Sequence, residues 1–284
     1  RSHAADIIHT APDYAWFFSR KNVPLIITFH NYVLDRFMAA FSNLAQTIHY
    51  RTDLKLFTRL SIREARMITA VSRFTADLVK KDLNLSKEIR IIYNGVDQNL
   101  FIPPNCTSPE KQKNIIVLFS GNLTQRKGAQ WLAPIAAKLH RYIEIIYTSG
   151  LQPKGILSKH ERLRCLGRIP YQQMPQIYQQ ADILLFPTVR EGFGLAAAEA
   201  MACGLPVVAT NCSSLPELID NGKGGFLCPI GDVEAFAEKI NFLAENPELR
   251  REMGEYNRAK VEKMFTLNRM VGEYQQLFEE VLSR

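Results

Sequence analysis

Two glutamates in this sequence have a spacing that suits chemistry. Glu191 lies in a short glycine-bearing loop, and Glu199 follows it within an alanine-rich segment that is typical of a helix. Carboxylates placed just before and one turn inside a helix can face the same crevice, where each accepts hydrogen bonds from a ligand. A βαβ unit in which Glu199 is only solvated fits the two residues equally well.

Two adjacent cations occupy a second loop. Arg126 and Lys127 stand in Ser120–Gly128, which follows an apolar segment and precedes a helical one but lacks the spacing of a dinucleotide fingerprint or a Walker A loop. Its glycines permit close approach of a ligand, and its cations suit phosphate oxygens. Taken alone, a solvated basic loop is the better interpretation. Because ligands bind beyond the carboxyl ends of parallel strands, the two loops together predict an anion site beside a helix N-terminus.

The elements that position these loops are predicted from apolar periodicity. Strand-sized apolar runs alternate with helical patterns, which indicates α/β structure with parallel sheets. One long amphipathic helical stretch is predicted over 32–65. Strands are predicted at 6–9, 23–30, 67–71, 89–93, 115–120, 143–148, 182–186, 207–209 and 225–228.

We expect two domains. A turn at 94–97 and a segment rich in proline and polar residues after it mark the boundary. We therefore predict a first domain over 1–97, a linker over 98–113, a second domain over 114–264, and a final helix over 265–284 that packs back toward the first domain.

The composition is that of a soluble globular protein, with 46% hydrophobic and 22% charged residues among 284. The longest apolar runs are strand-sized, too short to cross a membrane. The five cysteines are odd in number and lack metal spacing, which favours the reducing cytoplasm and no metal site: Cys106, Cys165, Cys203, Cys212 and Cys228.

Charge is unevenly distributed. The net charge is +7, and residues 1–100 carry 14 Lys and Arg against 9 Asp and Glu. A basic first part permits peripheral contact with the inner face of a membrane or with a phosphorylated substrate. No nucleic-acid-reading motif accompanies it, so a nucleic-acid partner is excluded.

The first 94 residues contain no glycine. An α/β domain that grips a ligand near its first strand usually has a glycine-rich turn there. We therefore expect the first part of the N-terminal domain to be missing, either through truncation or because a partner chain supplies those strands.

The sequence resembles the retaining glycosyltransferases of family 4. Glu191 and Glu199 match the E-x7-E signature of that family, and Gly121–Gly128 matches its G-R-L-x-x-x-K-G loop, except that Asn122 replaces the arginine. Further matching segments occur in the family's order: Asn94-Gly95-Val96-Asp97, Leu166-Gly167-Arg168-Ile169, Ala181-Asp182, Leu215-Pro216-Glu217-Leu218-Ile219 and Gly231-Asp232.

The resemblance implies the GT-B fold, in which two Rossmann-like parallel-sheet domains face a cleft. It implies that Lys127, helped by Arg126, holds a diphosphate together with the amides of Gly194 and Leu195. Glu199 would bind the ribose and Glu191 the donor sugar. The implied donor-binding set is completed by Gly121, Asn122, Gly167, Arg168, Gly192 and Phe193, with Gly167 and Arg168 near the base. His30 would lie at the reaction centre, which makes the implied catalytic set His30, Arg126, Lys127 and Glu191.

The implied function is transfer of a sugar from a UDP- or GDP-sugar to an acceptor hydroxyl, on a glycan or a lipid-linked acceptor, with retention and without metal or cofactor. An alternative is a non-catalytic donor-binding fragment or one subunit of a split glycosyltransferase. Epimerase or phosphorylase chemistry on a similar fold is a third interpretation.

Overall fold

The computed structural model describes residues 5–41, 44–104, 114–150 and 160–283. The chain forms two compact units: unit 1 comprises Arg1–Gly95 with Asn268–Arg284, and unit 2 comprises Val96–Leu267. Each unit contains a parallel sheet covered by helices, as the strand–helix alternation predicts.

Unit 1 is built on a sheet of order β1-β2-β3-β4 in which every pairing is parallel. Its central strand β2 is buried along its whole length, as expected for a strand covered on both faces. The C-terminal helix (Leu267–Leu282) adds Leu277 and Val281 to the core beside Ile26 and Ile92. The strands are β1 (Ile8–Thr10), β2 (Leu25–Phe29), β3 (Met67–Ala70) and β4 (Arg90–Ile91), and the helices before residue 95 are α1 (Arg36–Ala39), α2 (Leu44–His49), α3 (Lys55–Glu64) and α4 (Arg73–Leu83).

The helical stretch predicted over 32–65 is interrupted. After α1 the chain turns, and between α2 and α3 it forms a π-helical turn, Tyr50–Leu54. The Thr52 hydroxyl donates to the Ile48 carbonyl at 2.8 Å beside this turn. A side chain that donates a hydrogen bond to a backbone carbonyl of the preceding turn can distort the helix. Such a distortion cannot be predicted from the positions of apolar residues alone.

Unit 2 has the strand order β7-β6-β5-β8-β9-β10, again entirely parallel. This is the doubly wound arrangement, in which the chain starts in the middle of the sheet and reverses direction between β5 and β8. The strands are β5 (Ile115–Phe119), β6 (Ile143–Thr148), β7 (Leu163–Gly167), β8 (Ile183–Phe186), β9 (Val207–Thr210) and β10 (Gly225–Cys228). Ligand sites in such sheets lie where the order reverses.

The helices of unit 2 pack closely against this sheet. They are α5 (Leu132–Lys138), α6 (Met174–Gln179), α7 (Leu195–Ala202), α8 (Leu215–Leu218), α9 (Val233–Glu245) and α10 (Pro247–Met264). Four of the five alanines of α7 are buried, and their small side chains let neighbouring elements approach. At the end of α7, a Cβ placed on Gly254 of α10 would lie 2.0 Å from the Gly204 carbonyl.

The division between the units falls between Gly95 and Val96, two residues before the boundary expected from the sequence. Val96 donates to the Phe265 carbonyl at 2.8 Å and accepts from the Leu267 amide at 2.9 Å. Phe101 is fully buried, and Arg258 donates to its carbonyl at 2.7 Å. Residues 98–104, expected to belong to a linker, therefore pack on unit 2, whereas 105–113 lie outside the described residues.

Candidate functional site

The loop after β5 is held in one conformation by local capping and by contact with the loop after β8. Thr124 caps a 3-10 turn, Gln125–Lys127, by accepting from the Lys127 amide. Gly128 follows with φ of +80°, and a Cβ there would lie 2.1 Å from the Pro187 carbonyl oxygen. Only glycine combines this backbone with this approach.

The backbone of Arg126 joins the same two loops. Its carbonyl accepts from the Val189 amide at 2.9 Å and lies 3.0 Å from the Thr188 hydroxyl. Arg126 is a half-buried residue, and within the part of the chain that the structure describes its guanidinium forms no salt bridge.

We call residues 120–128 the cation loop and residues 188–193 the acidic loop. An ion pair connects the two loops. Lys127 Nζ lies 2.6 Å from Glu191 Oε1, and the same oxygen accepts from the Thr188 hydroxyl at 2.8 Å. The ammonium also lies 5.4 Å from the centre of the Phe186 ring. Within the described ranges, the other carboxylate oxygen of Glu191 accepts no hydrogen bond.

Tyr178 of α6 contacts both the residue that follows β5 and the helix that follows β8. The Tyr178 hydroxyl lies 2.9 Å from Glu199 Oε2 and 3.2 Å from the Ser120 hydroxyl. Tyr178 is fully buried, and the surrounding burial raises the pKa of Glu199 to about 7, although the tyrosine hydrogen bond favours the carboxylate. Among the described residues, Glu199 Oε1 has no hydrogen-bond donor.

The amides at the start of α7 belong to the same edge of the sheet. Gly194 precedes the helix with φ of +100°, and a Cβ there would lie 3.1 Å from Leu215. The first turn of a helix has amides without intrahelical partners, and its dipole favours an anion. At this helix end Leu195 is exposed, whereas Gly194 is buried.

The remaining predicted donor residues take different positions. Gly121 donates to the Thr148 hydroxyl at 3.0 Å, and Asn122 is exposed beside it. Gly167 ends β7 with φ of +75°, and Arg168 follows it, exposed. Gly192 is buried, and the Phe193 ring packs edge-on against Phe265 at 5.5 Å, so that ring is part of the core.

The structure therefore places ten predicted residues in the segments that follow β5 and β8: Gly121, Asn122, Arg126, Lys127, Glu191, Gly192, Phe193, Gly194, Leu195 and Glu199. His30 belongs to unit 1, where it directly follows β2 and is exposed.

Sequence reasoning missed four contributors: Tyr178, Thr188, Ser213 and Ser214. Thr188 was detectable, since it lies just beyond a strand end. The sequence pattern around Tyr178 is helical, and such a pattern does not distinguish a core tyrosine from one that binds a carboxylate.

The described residues contain neither a metal-binding cluster nor a membrane-spanning helix. In those ranges no group of three or more His, Cys, Asp or Glu side chains could hold a metal ion. No helix formed by the same residues is long and apolar enough to cross a membrane.

Two family models match the chain. Residues 1–100 match the Glycosyltransferase Family 4 model, and residues 114–246 match the model of Glycosyl transferases group 1. N-acetyl-alpha-D-glucosaminyl L-malate synthase of Bacillus anthracis is 27% identical over 242 residues, which are 81% of this chain and 64% of that protein. The chain thus spans less than two thirds of the length of this relative.

Solved structures share the fold. Sucrose-phosphate synthase of Thermosynechococcus elongatus superposes with a TM-score of 0.85 at 20% identity, over 98% of this chain and 74% of that protein. Anabaena HepE, crystallised with UDP and glucose, superposes with a TM-score of 0.78 at 24% identity, over 98% of this chain and 78% of HepE. The predicted α/β class with two Rossmann-like parallel-sheet domains is confirmed. The chain has the GT-B fold, and its two segments resemble glycosyltransferases of family 4 and of group 1.

Proposed function

We propose that this chain binds a nucleotide diphosphate sugar in unit 2 and transfers the sugar to an acceptor hydroxyl with retention of configuration. The observation that carries the proposal is the joint presence of the Lys127–Glu191 pair and the Tyr178–Glu199 pair where the strand order reverses. That position is the general ligand site of doubly wound sheets.

The diphosphate binds to the cation loop and to the start of α7. Lys127 and Arg126 supply positive charge, and the first amides of α7 donate to phosphate oxygens. Charge that develops on the departing nucleotide is stabilised by groups already in place, which is the largest contribution available to such a reaction. These groups make a metal ion unnecessary.

The two carboxylates bind hydroxyl groups. Each has one oxygen engaged by protein, Glu191 by Lys127 and Glu199 by Tyr178, so the second oxygen of each accepts from the ligand. We assign the ribose to Glu199 and the transferred sugar to Glu191. Because Glu191 is bound by the Lys127 ammonium and by Thr188, we assign it to positioning the sugar and not to attacking it. The acceptor hydroxyl then attacks the anomeric carbon from the same face that the nucleotide leaves.

The remaining roles come from the family resemblance. Gly167 and Arg168 are assigned to the base of a UDP or GDP group, and His30 to the reaction centre. The crystals of HepE with UDP and with UDP-glucose support a uridine nucleotide as the first ligand to test.

A thermal-shift screen of nucleoside diphosphates and nucleotide sugars tests the proposal. A ligand present at 100 times its Kd stabilises the folded protein by about 2.7 kcal/mol, so the correct nucleotide raises Tm. The Lys127→Ala variant is expected to lose this shift, whereas Lys239→Ala, which removes an exposed lysine beside Glu238, keeps it. The absence of a shift with every nucleotide would refute the site.

Product analysis then distinguishes transfer from binding alone. Release of nucleoside diphosphate that requires an acceptor, with NMR showing the donor's anomeric configuration in the product, is the expected result. Nucleotide binding without release would favour a donor-binding module.

A further inference from the structure

The turn between β9 and α8 contributes two serines that hold the backbone of the acidic loop. The Glu191 amide donates to Ser213 Oγ at 3.0 Å. The Ser214 hydroxyl donates to the Phe193 carbonyl at 2.9 Å and lies 3.3 Å from the Glu191 carbonyl. Ser214 is fully buried, so these contacts are not shared with solvent.

Ser213 adopts a backbone conformation that serine rarely takes. Its φ is +49°, in the left-handed region where residues other than glycine are uncommon. Such strain persists only where the surroundings impose it, and it concentrates at functional sites. Here the neighbouring Cys212 is fixed as well, because its thiol lies 3.3 Å from the Thr188 carbonyl.

These contacts act on the peptide groups on either side of the Glu191 side chain. Thr188 and Lys127 hold the carboxylate of Glu191, whereas Ser213 and Ser214 hold its amide and the carbonyls at 191 and 193. The carboxylate and the entry into α7 are thereby oriented before any ligand binds, and preorganisation of this kind lowers the entropic cost of binding.

We propose that Ser213 and Ser214 are positioning residues, which hold the acidic loop so that Glu191 and the start of α7 meet the donor together. The donor part of this inference rests on the proposed function; the restraint on the loop does not. Both serines contact backbone atoms of the acidic loop, and we infer that each acts through that backbone.

Hydrogen exchange in the ligand-free chain tests the restraint. Loss of one backbone-directed hydrogen bond of about 1 kcal/mol speeds local exchange roughly fivefold. We expect that effect at 190–195 in Ser213→Ala and Ser214→Ala. Ser213→Gly relieves the strained backbone but also removes the hydroxyl, so it is expected to exchange as fast as Ser213→Ala.

Ser61→Ala is the matched control. Ser61 is a fully buried serine of unit 1 whose hydroxyl accepts from the Trp16 amide at 2.9 Å. Its substitution is expected to speed exchange near Trp16 and to leave 190–195 unchanged. A general loss of stability would instead speed exchange in both regions in every variant.

UDP and UDP-glucose titrations of the same variants complete the test. Ser213→Ala and Ser214→Ala are expected to weaken nucleotide binding about three- to tenfold, and Ser61→Ala to leave it unchanged. Unchanged exchange at 190–195 overturns the inference whether or not nucleotide binds. Faster exchange with unchanged affinity also overturns it, because the serines would then stabilise the loop without serving the donor. Faster exchange in the serine variants, together with a wild-type chain that binds no nucleotide, supports the restraint and refutes the proposed function.

Discussion

Lys127 and Glu191 form a 2.6 Å ion pair that joins the loops following β5 and β8, the two strands between which the sheet reverses its order. Their side chains are 18% and 10% exposed, so water screens the pair only weakly. The pair therefore holds a cation and a carboxylate in place without a ligand.

Substitution at this pair should affect stability and activity differently. Lys127→Met leaves the Glu191 charge without its cation and should lower the free energy of unfolding by about 2 kcal/mol, whereas adding Glu191→Gln should restore part of that loss. Urea denaturation measures the coupling, and transfer should be lost in both variants. Lys138→Met breaks the exposed pair with Glu234 and should change stability by less than about 1 kcal/mol. If the stability losses of Lys127→Met and Glu191→Gln simply add in the double variant, the two side chains do not interact directly.

Donor affinity should depend on the ionisation of Glu199. Because burial raises its pKa to about 7, the carboxylate that accepts from ribose is increasingly protonated below neutral pH. Nucleotide affinity should therefore fall between pH 8 and pH 6, by at most about tenfold per pH unit. Titration of UDP binding against pH measures this slope, and Glu199→Gln should bind weakly without it. An equal slope in both proteins would assign the titration to another group.

The same residue has the opposite effect on folding. Its pKa is about 7 in the folded chain, above the ordinary value of 4.5, so its contribution to stability is fully present below pH 4.5 and is lost as the pH rises through 7. Glu199→Gln should therefore gain stability relative to wild type between pH 5 and pH 8. Chemical denaturation across that range measures the difference, and a constant difference would contradict the raised pKa.

The close approach of the cation loop to Pro187 makes Gly128 irreplaceable. Gly128→Ala should destabilise the protein by about 2 kcal/mol or more, since it adds a clash to the strain of a positive φ. Gly222 is the matched control: its φ of +81° is nearly the same as that of Gly128, and a Cβ there meets nothing within 4 Å. The difference between the two alanine variants in thermal unfolding measures the clash alone. Equal losses would show that backbone strain accounts for both.

Unit 1 contains a hydrogen-bonded group that should respond to acid. His9 Nε2 lies 2.7 Å from the Thr28 hydroxyl, which lies 3.2 Å from the Tyr274 hydroxyl of the C-terminal helix. Burial lowers the pKa of His9, with His30 adding to the effect, so stability should fall as the pH drops below about 6.5. His9→Gln should reduce this loss in denaturation between pH 8 and pH 5. An unchanged loss would exclude His9 as its source.

Local patterns were sufficient to predict much of this molecule. The parallel sheets follow from apolar strands that alternate with helical segments, and the position of the cation loop at a strand end follows from the apolar segment 115–120 that precedes it. The interrupted helix over 32–65 was not predictable, since its π-helical turn depends on local hydrogen bonding rather than on the positions of apolar residues.

Strand periodicity and residue type are local properties, so the amino-acid pattern alone indicates which residues can hold phosphate and hydroxyl groups and that their loops follow strands. Which of these residues come into contact depends on the folded arrangement of the strands. That arrangement paired Lys127 with Glu191, placed Tyr178 against Glu199, and set Ser213 and Ser214 under the acidic loop. These contacts arise from strand order, which brings β5, β8 and β9 side by side although they are far apart in the chain, and no local pattern encodes that order.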